Sequence, residues 1–528
     1  MSKLLCAALL TAVLSVPGLF EGSQAVAAPP VKIIITTDIH GYLAYEPEHG
    51  RPGLARLKAY LDSLSAGGYL TFLMDSGDAF SGSAHAQVDR GRFPAELMGL
   101  AGYRVLTPGN HDFDHNGAEN NHLFYSEVLL PLMREHGSPE LEVTAANLSY
   151  QGRNLPGTAR RALIIYDETG EKPDGLRLIV AGAALPQTAR PTLAPSIPGY
   201  DFGRKEDESA TKAAVLAELS SSLADYKRPE DVVLVLSHLG FEDQRNPGRL
   251  SGPDLASVPE IDFIADGHSH RAVAPRAINQ AVYANGGRYL ENFLEISLAD
   301  GRREMELKTF SDLAHLEPDH ALEARLAEFE RQHGFKEVIF SLEDGTFSDR
   351  GLRENSTPLG RLITRAVAEA AGADVAVQNT GAVRAGFDSG PVTIGRVYDA
   401  LPFNTDILSY SLSGREIEEL FQGYLKNGPG QVQFYGLRIM AWKNDEGGLK
   451  IVNLSTNQGQ SIDPEQTYQV ALSGFLAKGR GENAFSGLTP RNHGDLTTAV
   501  IGRLKRFKGR GPDMDELKKD NLLIIESK

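Results

Sequence analysis

Cysteine is almost missing. Cys6 is the only one in 528 residues, and it lies in the first apolar segment. Without a pair there is no disulfide, and a metal site elsewhere in the chain has only nitrogen and oxygen ligands to draw on. Positive charge is also short. Lys and Arg number 53 against 69 Asp and Glu, a formal net charge of −16. That excludes the basic footprint needed by a nucleic-acid polymer or an anionic membrane surface as partner. A small anionic substrate stays open, because a few arginines or bound cations reverse the field locally.

Residues 4–20, LLCAALLTAVLSVPGLF, follow Lys3 and give way to EGSQAVAAPP. This run is shorter than the ~20 residues a membrane span needs. It reads as a cleavable export signal over residues 1–27 rather than a stable anchor, and it predicts a periplasmic or secreted protein. Cleavage after Ala27 avoids a Pro directly behind the cut.

The chain is too long for one hydrophobic core. Its first part alternates apolar strands with helical stretches. VKIIITTD, LTFLMDSGD, YRVLTPGN, LRLIVAGAA, DVVLVLSH and IDFIADGH are β-branched or Leu-rich runs that end in small or polar residues. GLARLKAYLDSLSA and KAAVLAELSSSLADYK lie between them with helical spacing. Such alternation predicts an α/β unit over residues 28–311. Residues 312–335 form a charged helix with an apolar stripe at Leu322, Leu326 and Phe329. This is a connector or a further helix of the first unit. Residues 336–528 mix helices with strands and predict a smaller α+β unit.

Chemistry collects where the strands stop. They run into Asp38 and His40, into Asp78, into Asn110 and His111, into His238, and into His268 and His270. In an α/β sheet, ligands bind outside the carboxyl ends of the strands. On this reading five strand ends deliver Asp, Asn and His to one edge of one sheet. The other histidines (49, 85, 115, 122, 136, 315, 320, 333 and 493) lack the pattern and read as solvated or helix-surface residues. Carboxylate, amide and imidazole together suit a borderline divalent ion such as Zn, Mn, Fe or Co. Asp38, His40, Asp78, Asn110, His238, His268 and His270 are more donors than one tetrahedral site uses, so two ions are expected. Asp78, on a middle strand, is the natural bridge. Gly109 reads as the residue that allows the tight turn before Asn110.

TTDIHG, DSGD, GNHDFD, SHLG and GHSH, in that order, resemble the five blocks of the calcineurin-like metallophosphoesterases. The text around them is similar to the secreted 5′-nucleotidase/UDP-sugar hydrolase branch. The resemblance implies a four-layer α/β/β/α sandwich followed by a substrate-binding domain. It implies Asp38, His40, Asp78 and His270 around one ion, and Asp78, Asn110, His238 and His268 around the other. It makes His111 the residue that stabilises or protonates the leaving oxygen, Asp114 its orienting partner and Asp112 structural. Two cations suit the task, since phosphate-monoester hydrolysis is among the slowest uncatalysed reactions and a positioned His supplies only ~10²–10⁴.

Behind these blocks, STPLGRLITRAV, VQNTGAVRAGF, YDALPFNTDI and SGFLAKGRGENAF resemble the C-terminal domain of the same branch. By resemblance Arg353 and Arg384 bind phosphate, Asn379 contacts the nucleoside, and Phe403 and Phe475 sandwich the base. After Phe475 the chain departs from the family, whose ribose-binding Asp is missing. Glu482 could replace it from a longer loop, or Arg480 could add a phosphate contact. The implied activity is removal of phosphate from nucleotides or UDP-sugars. Neighbouring branches offer 2′,3′-cyclic-nucleotide phosphodiesterase or thiosulfohydrolase activity instead. A periplasmic solute-binding protein would also have lobes and a cleft, but no reason to gather these ligands.

Overall fold

The computed structural model describes residues 30–526 apart from 117–120, 161–162, 168–176, 190–196, 225–226, 242–247, 300, 344–346, 388, 404, 427, 444–447, 480–484, 486, 508–516 and 518–520. The export segment, Arg480 and Glu482 lie outside the described residues.

Among the described residues, two six-stranded sheets frame the first unit. In one, Val31–Thr36 pairs parallel with Leu70–Asp75, which pairs parallel with Tyr103–Leu106; Asn292–Ala299 runs antiparallel on the other side of Val31–Thr36. In the other, Val232–Ser237 lies parallel between Arg177–Ala183 and Phe263–Asp266. The residue pattern had put all five ligand-bearing ends on one sheet. They fall on two, three ends on the first and two on the second. Continuous apolar strands look alike whichever sheet they join.

Period-two alternation explains the layers. Val31, Ile33 and Ile35 meet Val232, Leu234 and Leu236 in a core between the sheets. Ile34 points the other way, into a core with Leu54, Leu57 and Leu61 of the helix Leu54–Ala66. Val233 and Val235 point away too, onto Val215 and Leu219 of the helix Glu208–Ala224. The result is the four-layer α/β/β/α sandwich.

The helix His320–His333 starts at Asp319, whose side chain accepts the N–H of Leu322, and ends at the left-handed Gly334. It lies on the first unit. Phe329 stacks on Phe93 with ring centroids 3.6 Å apart, and Arg325 forks onto Glu96 at 2.5 and 2.8 Å. The second unit has a five-stranded sheet in which Val375–Asn379 pairs parallel with Thr467–Ser473. The helices Pro358–Ala371 and Gly414–Leu425 are capped by Thr357 and Ser413. Among the described residues no helix is long and apolar enough to cross a membrane.

Candidate active site

The strand ends open into loops of unusual backbone. Asp38, His40, Asp78, His268 and His270, five of the seven expected ligands, have φ between 49° and 67°. For non-glycine residues each such conformation costs about 1–3 kcal/mol and persists only where the surroundings over-determine it. Those surroundings are visible. Asp38 N–H donates to Gly77 C=O at 2.8 Å, His40 N–H to Asp78 C=O at 2.9 Å and His268 N–H to Asp38 Oδ2 at 2.9 Å.

Three buried carboxylates staple the loops together. Asp112 accepts the N–H of Gly109, Asp78 and Ala79 at 2.8–3.0 Å, which bears out its structural reading. Asp75 accepts Gly77 N–H and the Thr36 hydroxyl. Asp266 accepts the Ser237 and Tyr283 hydroxyls at 2.8 Å and the N–H of Leu239 and Gly240. Burial raises all three carboxyl pKa values, that of Asp112 to about 6. Asp75 and Asp266 escaped the sequence reading. An acid within three residues of each ligand block was the available signal.

Two ligand trios converge. Asp38, His40 and His270 form one, Asp78, His238 and His268 the other, and within each trio the ligand atoms lie within 4.8 Å of one another. In the first, His270 Nε2 is 3.1 Å from both Asp38 Oδ1 and His40 Nε2. In the second, His238 Nε2 is 3.0 Å from Asp78 Oδ2. That same oxygen is 3.7 Å from His40 Nε2, so Asp78 faces both trios. Main-chain carbonyls set the tautomers: His40 Nδ1 donates to Ser81 C=O at 2.8 Å and His238 Nδ1 to Ser76 C=O at 2.7 Å. Both rings therefore turn Nε2 inward.

The residues fit a pair of divalent cations. Asp38 Oδ1, Asn110 Oδ1 and His238 Nε2 are buried and make no hydrogen bond in the structure. Orphaned donors and acceptors of this kind are costly unless something binds them. Burial works against charge on His238, yet Asp78 and then Asp38 raise its pKa to about 10. The carboxylates draw a positive charge to this point, proton or metal. Burial lowers His40 to about 4 and His268 to about 3, keeping both imidazoles neutral, as ligation requires.

His111 stands at the rim, beside His40 with ring centroids 5.5 Å apart. Its Nδ1 meets Asp114 Oδ2 at 2.7 Å. Burial opposes its protonation, but Asp114 and then Asp78 raise its pKa to about 9. Gly109 is needed for a different reason than expected. Its φ is not in the left-handed region; a Cβ there would strike the Asp78 carboxylate.

The second unit reaches this rim. Phe403, half-buried, lies 6.2 Å from His111, and the Arg384 guanidinium sits 5.2 Å over the Phe403 ring. Burial lowers the Arg384 pKa first, and the charge of Arg353 lowers it further. Asn379 ends a strand parallel to Thr467–Ser473, so Asn379 and Phe475 share one sheet edge; Ser473 Oγ reaches Asn379 Oδ1 at 3.5 Å. Phe475 is 44% exposed.

Tyr289 was missed. It has φ 57°, its N–H donates to Asp38 C=O, and its ring lies 5.8 and 5.5 Å from His40 and His270. Two histidines read as surface residues are buried. His115 Nε2 binds Phe80 C=O at 3.0 Å, and His85 packs on Phe93 and Phe335 with Glu330 at 3.2 Å.

Comparisons with known proteins agree with this geometry. The family model for calcineurin-like phosphoesterase matches residues 31–272, and that for the 5′-nucleotidase C-terminal domain matches residues 338–488. Protein UshA of Yersinia enterocolitica is 25% identical over 509 residues, covering 85% of each chain. The trifunctional nucleotide phosphoesterase protein YfkN of Bacillus subtilis is 25% identical over 462 residues, 80% of this chain but 30% of that one. The chain thus spans about a third of the length of some relatives it matches (30% and 37%). The crystal structure of a 5′-nucleotidase precursor from Thermus thermophilus shares the fold, with a TM-score of 0.65 at 19% identity over 94% of this chain and 100% of that one. The chain belongs to the calcineurin-like phosphoesterases, in the branch that carries a 5′-nucleotidase C-terminal domain.

Proposed function

We propose that this protein is an exported, two-metal phosphohydrolase that removes phosphate from nucleotides, with UDP-sugars as a second substrate class. One observation carries the reading. Two convergent ligand trios, with Asp78 of one facing His40 of the other, lie beside the His111–Asp114 pair, and Phe403 and Arg384 of the second unit face the same rim.

When bound, the two ions, of the zinc, manganese, iron or cobalt type, supply Lewis acidity toward phosphoryl oxygens and ease deprotonation of water. The chain does the rest. Asp38, His40, Asp78 and His270 hold one ion, and Asp78, Asn110, His238 and His268 hold the other. His111 keeps its proton, fixed by Asp114, and gives it to the leaving oxygen. Arg384 and Arg353 grip phosphate with planar forks. Phe403 and Phe475 stack the base, and Asn379 contacts the nucleoside. The helix at 312–335 joins the catalytic unit, 28–311, to the substrate unit, 336–528. Residues 1–27 direct export to the periplasm or beyond and are removed. Relatives named 5′-nucleotidase and nucleotide phosphoesterase support nucleotides as the substrate class.

The test is a substrate panel on purified protein with Mn, Zn or Co added. Turnover of AMP and UDP-glucose is expected. Turnover of 2′,3′-cyclic AMP alone, or of a thiosulfonate carrier alone, would overturn the nucleotidase reading in favour of the corresponding branch.

A further inference from the structure

The turn Arg288–Glu291 is built against its own sequence. It links the strand Ala281–Gly286 of one sheet to the strand Asn292–Ala299 of the other. Glu291 N–H closes it by donating to Arg288 C=O at 2.9 Å. Its two central residues, Tyr289 and Leu290, both have left-handed backbones, with φ of 57° and 59°. Turns that are left-handed at both centres ordinarily carry Asn-Gly or Gly-Gly, because other side chains strain that conformation. The neighbours hold it nonetheless. Leu290 is buried in the hydrophobic core, and Tyr289 N–H donates to Asp38 C=O at 2.8 Å. The Tyr289 ring packs on Tyr42 with centroids 4.3 Å apart, and the Arg51 guanidinium lies 5.1 and 4.2 Å from these two rings. Glu46 in turn pairs with Arg51.

The strained turn delivers one ring to one place. Tyr289, His40 and His270 form a triangle of rings. The two imidazole centroids are 5.0 Å apart, and Tyr289 lies 5.8 Å from His40 and 5.5 Å from His270, nearly edge-on to both at 70° and 75°. Two corners are ligands of the first trio, and they are oriented by different means. His40 is fixed through Nδ1, which donates to Ser81 C=O. Among the described residues, every hydrogen bond and ion pair of His270 is made by Nε2, the atom that faces the ion site. Ligating imidazoles are ordinarily oriented through their other nitrogen. For His270 that task falls to packing, since edge-to-face contact has a preferred geometry of its own. We propose that Tyr289 is a positioning residue for the ion held by Asp38, His40 and His270: its ring sets the His270 imidazole, and its N–H fixes the Asp38 main chain. The proposal rests on the two-metal reading above. It makes the two sites unequal, one ordered in part by packing from this turn, the other by the Ser76 carbonyl behind His238.

Binding of Mn to the full chain, stripped of metal beforehand, tests this, with calorimetry for the affinity of each site and elemental analysis for ion content. Tyr289→Asn removes the ring and suits the left-handed turn better than Tyr does, so the fold is kept. It should weaken one ion roughly 10- to 100-fold, the usual loss when a group that orients a metal ligand is removed, and leave the other unchanged. Tyr289→Phe keeps the ring and should bind both ions as the wild type does. The weakened ion should be the one lost in His270→Ala, so the double variant should bind no worse than His270→Ala alone. Wild-type affinity for both ions in Tyr289→Asn overturns the inference. Equal weakening of both ions overturns it too, because the loops would then have loosened as a whole. So does the same loss in Tyr289→Phe, which would assign the effect to the hydroxyl. A wild type that holds two ions beside an indifferent Tyr289→Asn defeats this inference alone. A wild type that holds no Mn defeats the two-metal reading, and this inference with it.

Discussion

Oδ1 of Asp78 accepts the main-chain N–H of His111 at 2.6 Å. The other oxygen of the same carboxylate faces His238 at 3.0 Å and His40 at 3.7 Å. One side chain thus holds both ligand trios and the turn that presents the proton donor. Substitution there acts on metal and on acid chemistry together.

Asp78→Asn should therefore weaken both ion sites, whereas Asn110→Ala should weaken mainly one. Metal content after dialysis reports the difference. Equal losses from the two variants would count against Asp78 as the bridge.

His111→Ala should keep both ions and lose ~10²–10⁴ in kcat, the range for a positioned acid. Asp114→Asn should lose less, because the imidazole stays but its orienting carboxylate does not. Loss of metal from His111→Ala would show that a ligand had been taken for an acid.

Phe403→Ala should weaken nucleotide binding by ~1–3 kcal/mol, the value of one stacking partner, and barely affect p-nitrophenyl phosphate. Arg384→Ala should reduce nucleotide turnover with both ions retained. Comparing kcat/KM on AMP, dAMP and p-nitrophenyl phosphate checks these outcomes. AMP and dAMP should be turned over nearly alike, since the family's ribose-binding Asp is absent. An equal loss on every substrate in Phe403→Ala would make that ring a packing residue.

Each trio takes ligands from both sheets. Asp38 and His40 follow Val31–Thr36 and Asp78 follows Leu70–Asp75, while His238, His268 and His270 follow strands of the other sheet. Ions bound here cross-link the sandwich at one end. Stripping them with a chelator should lower Tm by several degrees, because a ligand at 100-fold its Kd contributes about 2.7 kcal/mol. Re-addition of Mn should restore it. A chelator-insensitive Tm would argue against preloaded sites.

Asp89 makes stability depend on pH. Burial pushes its carboxyl up to about 7 from 3.8, against opposing N–H groups of Phe93 and Arg92. A raised carboxyl pKa means that the folded state favours the protonated form. Its contribution is present below about pH 4 and lost as pH rises toward 7. Asp89→Asn should flatten the fall of Tm between these limits, and an unchanged slope would remove Asp89 as its source.

Much of the site was legible because its chemistry is carried by residue type. Asp, Asn and His at successive strand ends stand out against apolar strands, and those strands and the helices Leu54–Ala66 and Gly414–Leu425 formed where their periodicities put them. What was not legible lies in the backbone and in three dimensions. No glycine marks the left-handed conformations of Asp38 or His268, so strain there left no trace in composition. The division of the ligand strands between two sheets depends on pairing partners distant in sequence, such as Ile33 with Ile296. The burial of His85 depends on Phe329, from the helix His320–His333, and on Phe335 just beyond its end, both far along the chain.

Gly252 N–H donates to Gly240 C=O at 2.8 Å, which closes the ends of the loop between them and has an evolutionary consequence. A loop whose ends already touch can grow or shrink with little effect on the scaffold, since doubling its length costs only about 0.6 kcal/mol of closure entropy. Its base is fastened to Asp266, and its returning limb runs past His268. Changes in the length of this loop should therefore leave the strand ends that carry His238 and His268 where they are.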